Sequence, residues 1–492
     1  MKKDNLGMNK ISKILSNKVF LYMGTRYLTY AIQFCTTLII AIKLGPTDFG
    51  IWSFFLLVIG FFNIVDFGVS NSLNVLLVQS KDDHDLCDRY ISSASTLIFI
   101  LGLILLIITL FTGHGHIALF EKYAVGELIP FIFLIVVLAY YNKAYSTVYR
   151  VGNRLLEVAI YQSLIPLLLF AVILAFRVNA LKFMVGAYLV GNIIIIGFFI
   201  KRGLIPPYVK PHKDDIKNLF TKGFWLFLYN SAFYLIMYTT SLYVSKYYFV
   251  EEYGKFNFAY TLSNSIFLLV DAFGFIVFPK MIDRLRSNDY TLCREVITSV
   301  RENYMTLIYT LVFVALPFFE LFCSFIPKYS ECGRALCISA VSLLPYSNAF
   351  GLNTFLIAQN KEKALSVVSL FVLMGNVALL LLLRHVFNIP YDLFFLFPAF
   401  SYLIYTAGCA YLSIAKMGEK KNILEILLLA FPVHSGIPFV ISIVSIFLSY
   451  RFNLIILLCL PVISYILLNM RNVGVVLGTV KSIINRPNIV DL

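Results

Sequence analysis

A helix needs about 20 mostly apolar residues to cross a hydrocarbon core of about 30 Å, and the 492-residue chain contains fourteen such stretches. They run over 19–42, 50–78, 90–112, 125–149, 155–176, 180–200, 223–246, 256–279, 303–325, 335–358, 364–384, 391–415, 423–449 and 453–470. Pro432, Pro438 and Arg451 interrupt the last pair. The expected fold class is therefore an all-α polytopic membrane protein of about fourteen transmembrane helices.

Comparing the chain with itself predicts an internal repeat. Residues 46–54 (Pro-Thr-Asp-Phe-Gly-Ile-Trp-Ser-Phe) match 250–258 (Val-Glu-Glu-Tyr-Gly-Lys-Phe-Asn-Phe) at an offset of 204. Tyr30, Thr36 and Thr37 fall on Tyr234, Thr240 and Ser241 in the same register. Val65-Asp66 meets Val270-Asp271 at 205, Leu86-Cys87 meets Leu292-Cys293 at 206, and Asn153-Arg154 meets Asn360-Lys361 at 207. Small loop insertions produce such a drift. Chance likeness between apolar helices would not place polar matches in one register. The expected organisation is a cytoplasmic arm (1–18), a six-helix bundle (19–200), a cytoplasmic linker (201–222), a second, parallel-repeat six-helix bundle (223–415), an extra helix pair (423–470) and a cytoplasmic tail (471–492). Repeats of an even number of spans share one orientation, an arrangement typical of transporters.

Composition supports the membrane reading: 60% of residues are apolar and 13% charged, against roughly a quarter charged in soluble proteins. The net charge of +14, from 40 Lys and Arg against 26 Asp and Glu, would in a soluble protein suggest nucleic acid. Here its distribution gives another answer. With the N-terminus inside, 28 basic residues fall in inside loops and 10 in outside loops. That bias predicts cytoplasmic termini and removes nucleic acid as a partner. The start reads as a signal anchor rather than a cleavable signal peptide. The longest outside loop, Gly113 to Ala124, leaves no room for a folded catalytic domain, so a transporter is expected rather than an enzyme.

Two basic residues remain inside spans, Arg26 and Lys143. Intramembrane charges are costly and are functional candidates by default. They head polar stripes at helical spacing: Arg26, Tyr30, Gln33 and Thr37 in span 1, Lys143, Thr147 and Arg150 in span 4. Span 2 has Asn63, Asp66, Ser70 and Asn74, span 7 Asn230, Tyr234, Tyr238 and Ser241, and span 8 Asn257, Thr261, Asn264 and Asp271. Hydrogen bonds between helices are the favoured role for the Ser, Thr and Asn members. For the charges two readings stay open, a cavity lining or a structural pair with Asp66. Asp66 has a further one, a wet carboxylate at a helix end. The repeat counterparts of Arg26, Lys143 and Arg150 are Asn230, Phe350 and Ile357. A lone cationic patch in the first half suits one anionic group, such as a phosphate or pyrophosphate.

Other motifs add little. Gly113-His114-Gly115-His116 with Glu121 reads as solvated loop rather than a metal site. The eight Cys contain no Cys-x-x-Cys pair, and only Cys323 and Cys332 are placed to bridge near the outside surface. Without a phosphate-binding Gly loop, neither ATP nor another cofactor is expected. The tail from Arg471 has the spacing of an interfacial helix.

Lys43-Leu44-Gly45-Pro46-Thr47-Asp48-Phe49-Gly50, followed by a long span ending in Val65-Asp66-Phe67-Gly68-Val69, resembles the opening of the polysaccharide-biosynthesis flippases, the Wzx-type members of the multidrug/oligosaccharidyl-lipid/polysaccharide exporter superfamily. The resemblance implies two six-helix bundles with an optional final pair. It also implies translocation of an undecaprenyl-pyrophosphate-linked oligosaccharide, as in O-antigen and lipopolysaccharide synthesis, across the bacterial inner membrane by alternating access driven by an ion gradient. The lipid bilayer and the polymerase and chain-length proteins of the same pathway would be the partners. On this reading the substrate-binding candidates are Arg26, Lys143, Arg150, Tyr30, Gln33, Asn63, Asn230 and Tyr234, and Asp66 and Asp271 are coupling candidates. Two alternatives are a drug/cation antiporter of the same superfamily, which would want carboxylates in its cavity, and a membrane glycan polymerase or ligase, which would want a large outside loop.

Overall fold

The computed structural model describes residues 18–485 apart from 65, 81–82, 113–116, 177, 384–388, 419–421 and 449–453; within some helices, among them over 271–280 and 475–485, it describes backbone only. The N-terminal arm, the His114 and His116 loop and most side chains of the C-terminal tail thus lie outside the described residues. The helices are α1 (Lys18–Ile64), α2 (Val69–Gln79), α3 (His84–Thr112), α4 (Ala118–Lys122), α5 (Ile129–Val151), α6 (Leu155–Ala175), α7 (Ala180–Lys201), α8 (Lys213–Lys222) and α9 (Phe224–Tyr247). They continue as α10 (Val250–Leu285), α11 (Tyr290–Ser324), α12 (Gly333–Ser347), α13 (Leu352–Ala358), α14 (Glu362–Leu383), α15 (Leu396–Met417), α16 (Ile423–Ala430), α17 (Val433–Leu448) and α18 (Leu454–Asn485).

Helix occupies all fourteen apolar stretches, but three are broken, at 66–68, 348–351 and 431–432. Among the described residues nine helices are long and apolar enough to cross a membrane, or ten if α16 and α17, bent by 73°, form one span. The expected count of fourteen is not reached on that measure, for identifiable reasons. Gly24–Ile64 counts once, and the apolar part of α18, Ile456–Met470, is short. Helices α9 and α10 carry the polar stripes through Asn230 and Asn257 and are not among the nine. Outward-facing Phe99, Leu103, Leu106 and Ile107 on α3 are exposed in the isolated chain, as lipid-facing side chains should be. The chain is a multi-pass membrane protein.

The loop expected over 43–49 is a kink instead. Gly45 takes φ 80°, a left-handed value open to glycine, and Pro46 restarts the helix where its missing N–H costs nothing. Packing divides the chain into two compact units, one of Tyr22–Gly254 and another beginning at Lys255. Helix α9, which the repeat register assigns to the second half, packs with the first unit.

The repeat is legible residue by residue. Phe54 stacks on the buried Tyr123 ring at 4.1 Å, and their counterparts Phe258 and Tyr329 stack at 4.0 Å. Asp83 Oδ1 accepts the Leu86 N–H at 3.0 Å, and Asp289 Oδ1 accepts that of Leu292 at 3.3 Å. Asn153 (φ 60°) and Asn360 (φ 55°) both turn left-handed. The following amides, of Arg154 and Lys361, then donate to Tyr149 O at 2.9 Å and Leu356 O at 2.8 Å. These are paired Schellman-type helix ends. The matched glycines even meet. A Cβ on Gly50 would lie 2.3 Å from Val250 O, and one on Gly254 would lie 1.9 Å from Pro46 O. Since 46 pairs with 250 and 50 with 254 in the register, the contact is reciprocal.

Candidate functional site

Every predicted site residue except Asp271 lies in the first compact unit. Asp271 is on α10, and its side chain falls outside the described ones.

The predicted continuous span over 50–78 breaks at Asp66-Phe67-Gly68, and the break organises the site. Phe67 (φ 47°) and Gly68 (φ 76°) are left-handed, and a Cβ on Gly68 would sit 2.6 Å from Phe227 Cβ, so position 68 requires glycine twice over. Asp66 holds the turn that leads into α2. Its Oδ1 accepts the Gly68 N–H at 3.1 Å, and its carbonyl accepts the Val69 N–H at 3.1 Å. Its Oδ2 accepts from Lys143 Nζ on α5 at 2.8 Å. One turn before Lys143, the Tyr140 hydroxyl donates to Phe62 O in the last turn of α1. Asp66 is 1% exposed, which excludes the wet-carboxylate reading. Lys143 is thus not an uncompensated charge: its partner is Asp66, while its own side chain stays 45% exposed.

Arg26 differs. Its Nε donates to the Tyr30 hydroxyl at 3.0 Å, its guanidinium lies 5.0 Å from the centre of the Tyr30 ring, and its Nη1 donates to Gln162 Oε1 on α6. All these partners are neutral. Among the described residues no carboxylate pairs with Arg26. Its helix is held to α6 further along, where Thr36 donates to Pro166 O at 3.3 Å and Lys43 to Ile173 O at 2.9 Å. The fork therefore sits on a braced element, half-buried, with exposed Gln33 two turns on.

The remaining candidates lie on α1, α5 and α9. Asn63 is half-buried just before the break, and Arg150 is exposed in the last turn of α5, where a cation complements the carbonyl end of the helix. On α9 Asn230 is half-buried, Tyr234 is 59% exposed, and Tyr238 packs so closely on α1 that a Cβ on Gly60 would approach its ring to 2.4 Å. Arg26 thus rests on neutral side chains and Lys143 on a carboxylate.

Sequence reasoning missed Arg301. Its loop was expected to run over 280–302, but α11 starts at Tyr290 and buries Arg301 to 4% exposure. Arg301 Nε donates to Asn348 O at 2.7 Å and Nη2 to Ala430 O at 2.9 Å, carbonyls at the ends of α12 and α16 that no helical N–H reaches. Asn348 Oδ1 accepts from the Tyr309 hydroxyl at 3.1 Å. The signal was available: Ile297, Arg301, Tyr304 and Ile308 share one helix face, and all are buried. The second unit also holds an open groove of about 870 Å³, lined by Tyr290, Arg294, Glu295 and Glu302 among others. It contains none of the predicted residues. Among the described residues no group of three His, Cys, Asp or Glu could hold a metal ion.

A family model described as polysaccharide biosynthesis protein matches residues 15–284. No curated protein matches the chain by sequence. The lipid II flippase MurJ in an inward closed conformation shares the fold at a TM-score of 0.65 and 13% identity, over 93% of this chain and 99% of that one. An inward-facing multidrug resistance MATE transporter of the MOP superfamily does so at 0.61 and 13%, over 82% and 100%. A MOP superfamily transporter from Pyrococcus furiosus, described as having a binding pocket of reverse polarity, does so at 0.54 and 13%, over 84% and 96%. At these identities the likeness concerns the fold.

Proposed function

The chain belongs to the polysaccharide biosynthesis protein family, and from that membership we propose that it is a flippase which moves an undecaprenyl-pyrophosphate-linked oligosaccharide across the bacterial inner membrane by alternating access. The observation that carries this reading is Arg26, a guanidinium inside an apolar span whose hydrogen-bond partners, Tyr30 and Gln162, are neutral. An Arg fork so placed keeps its charge for a bidentate anion, and a pyrophosphate fits that geometry.

Lys143 enters through its partner. While Asp66 is ionised the pair is neutral, and a pyrophosphate must compete with the carboxylate for the ammonium. A proton on Asp66 would release Lys143 Nζ to the substrate, and its loss after delivery would take the lysine back. An ion gradient could drive the cycle this way, with Asp66 as the coupling group. Tyr30, Gln33, Asn63, Asn230 and Tyr234 would offer stacking and hydrogen bonds to sugars, and Arg150 a further cation.

A drug/cation antiporter is the second reading, favoured by the MATE-like fold. It would need a carboxylate open to a cation, whereas Asp66 is buried and held by Lys143. Deleting the gene tests both readings. On the flippase reading, lipid-linked oligosaccharide accumulates on the cytoplasmic leaflet and surface glycan is lost. Unchanged glycan together with loss of drug efflux would replace it with the antiporter.

A further inference from the structure

The segment between α7 and α9 is basic and firmly seated on the first unit. Asp215, 3% exposed, accepts from Arg89 twice, Nε to Oδ2 at 3.0 Å and Nη2 to Oδ1 at 3.1 Å. The Val209 N–H donates to Ser92 Oγ at 3.0 Å, and at the far end a Cβ on Gly223 would lie 2.3 Å from Ser72 Oγ. These contacts fix which face of α8 points away from the protein. Asp215 and Leu219 face in, while Lys213, Lys217 and Phe220, spaced i, i+4 and i+7, face out. Exposed Lys201, Arg202 and Lys210 precede them, exposed Tyr208 lies between, and exposed Phe224 and Trp225 follow on α9. The other exposed titratable groups among the described residues of the segment are His212 and Asp214.

We propose that this face is a docking surface for the anionic headgroups of membrane phospholipids. The occupant follows from charge and position. Among the described residues of the segment five exposed cations stand against one exposed carboxylate, interleaved with aromatic tips that continue onto α9, at the point where the membrane-spanning α7 ends. Lysines whose stems lie along an apolar surface while their heads reach phosphate, beside interfacial Trp and Tyr, recognise an anionic leaflet. Because the Arg89–Asp215 pair holds α8 in place, the surface is preformed, and headgroup binding would brace α9 and, through Ser72, α2. The inference requires a multi-pass membrane protein and is independent of what the protein transports.

Trp225 reports on its own surroundings, since the only other tryptophan, Trp52, is 3% exposed. The protein is reconstituted into vesicles in which either phosphatidylglycerol or phosphatidylcholine carries bromine, a contact quencher of tryptophan fluorescence. Brominated phosphatidylglycerol should quench several-fold more strongly than brominated phosphatidylcholine at equal mole fraction, and the preference should fade at molar salt. In a Lys210→Gln, Lys213→Gln, Lys217→Gln variant the ratio should approach one. A Trp52→Phe background removes the second emitter; if that variant does not fold, the same ratio is read on the protein with both tryptophans. Equal quenching by the two lipids in the parent protein, or a preference that the triple variant retains, overturns the proposal. Neither readout depends on transport.

Discussion

The two repeats share local hydrogen bonding but differ in where their helices break and in what holds the broken ends. In the first, the break falls in its second span, at Asp66-Phe67-Gly68, while α5 runs unbroken past Lys143. In the second, α10 runs unbroken through Asp271, and the break falls in its fourth span, between Asn348 and Gly351. In the first repeat an acid holds the turn ahead of the new helix, and a half-exposed lysine neutralises it. In the second, a buried arginine binds the orphaned carbonyls. Phe350, the register partner of Lys143, stacks on Tyr304 at 4.0 Å. A duplicated scaffold has therefore kept its turns and caps and exchanged its charges. Arg301 spends its donors on backbone carbonyls, whereas Arg26 leans on neutral side chains.

The largest expected effect breaks the second repeat. Arg301→Ala should leave the Asn348 and Ala430 carbonyls buried without donors and destabilise the fold by about 3 kcal/mol, seen as loss of folded protein on gel filtration. Arg301→Lys should recover only part, since one ammonium does not reproduce the two-nitrogen fork. An unaffected Arg301→Ala melting curve would mean that those carbonyls find other donors.

The glycine contact should respond symmetrically. Gly50→Ala and Gly254→Ala both place a Cβ against a facing carbonyl, so they should lower the melting temperature by similar amounts, each costing about 2 kcal/mol. A large effect at one position alone would contradict a reciprocal contact. A weaker signal is expected from the ion pair. In a double-mutant cycle over Asp66→Asn and Lys143→Met the coupling should be about 1 kcal/mol, limited because the Lys143 side chain is half-exposed.

The smallest effect concerns the start of α11. Asp289 is held below the usual carboxylate range, chiefly by the Thr291 hydroxyl and then by the Leu292 and Thr291 amides. A carboxyl depressed in the folded state stabilises it above the ordinary aspartate range, and that contribution disappears as pH falls through its folded value. Loosening of the first turn of α11 below about pH 4, followed by amide exchange, should vanish in Asp289→Ser.

Much of this contrast was visible in the chain alone. The repeat register carried over because polar matches such as Asn153 with Asn360 mark backbone conformations that apolar spans do not. The Gly45-Pro46 break was legible for the same reason, though as a loop rather than a kink. The Asp66 break was not: Phe67 is an unusual residue for left-handed backbone, and an apolar run reads as continuous helix wherever a turn hides inside it. Arg301 escaped because its position next to a run of charged residues looked like a loop, while its burial depends on carbonyls 47 and 129 residues away. Of the site, residue types were readable and pairings were not, since Lys143 and Asp66 are 77 residues apart.

Arg26 tests the account most directly. In a strain whose surface glycan depends on this protein, Arg26→Ala should give protein of normal abundance and melting temperature, no surface glycan, and lipid-linked oligosaccharide retained on the cytoplasmic leaflet. Arg26→Lys should restore only part of the glycan, because the bidentate fork is lost. Full surface glycan in Arg26→Ala would contradict the assignment.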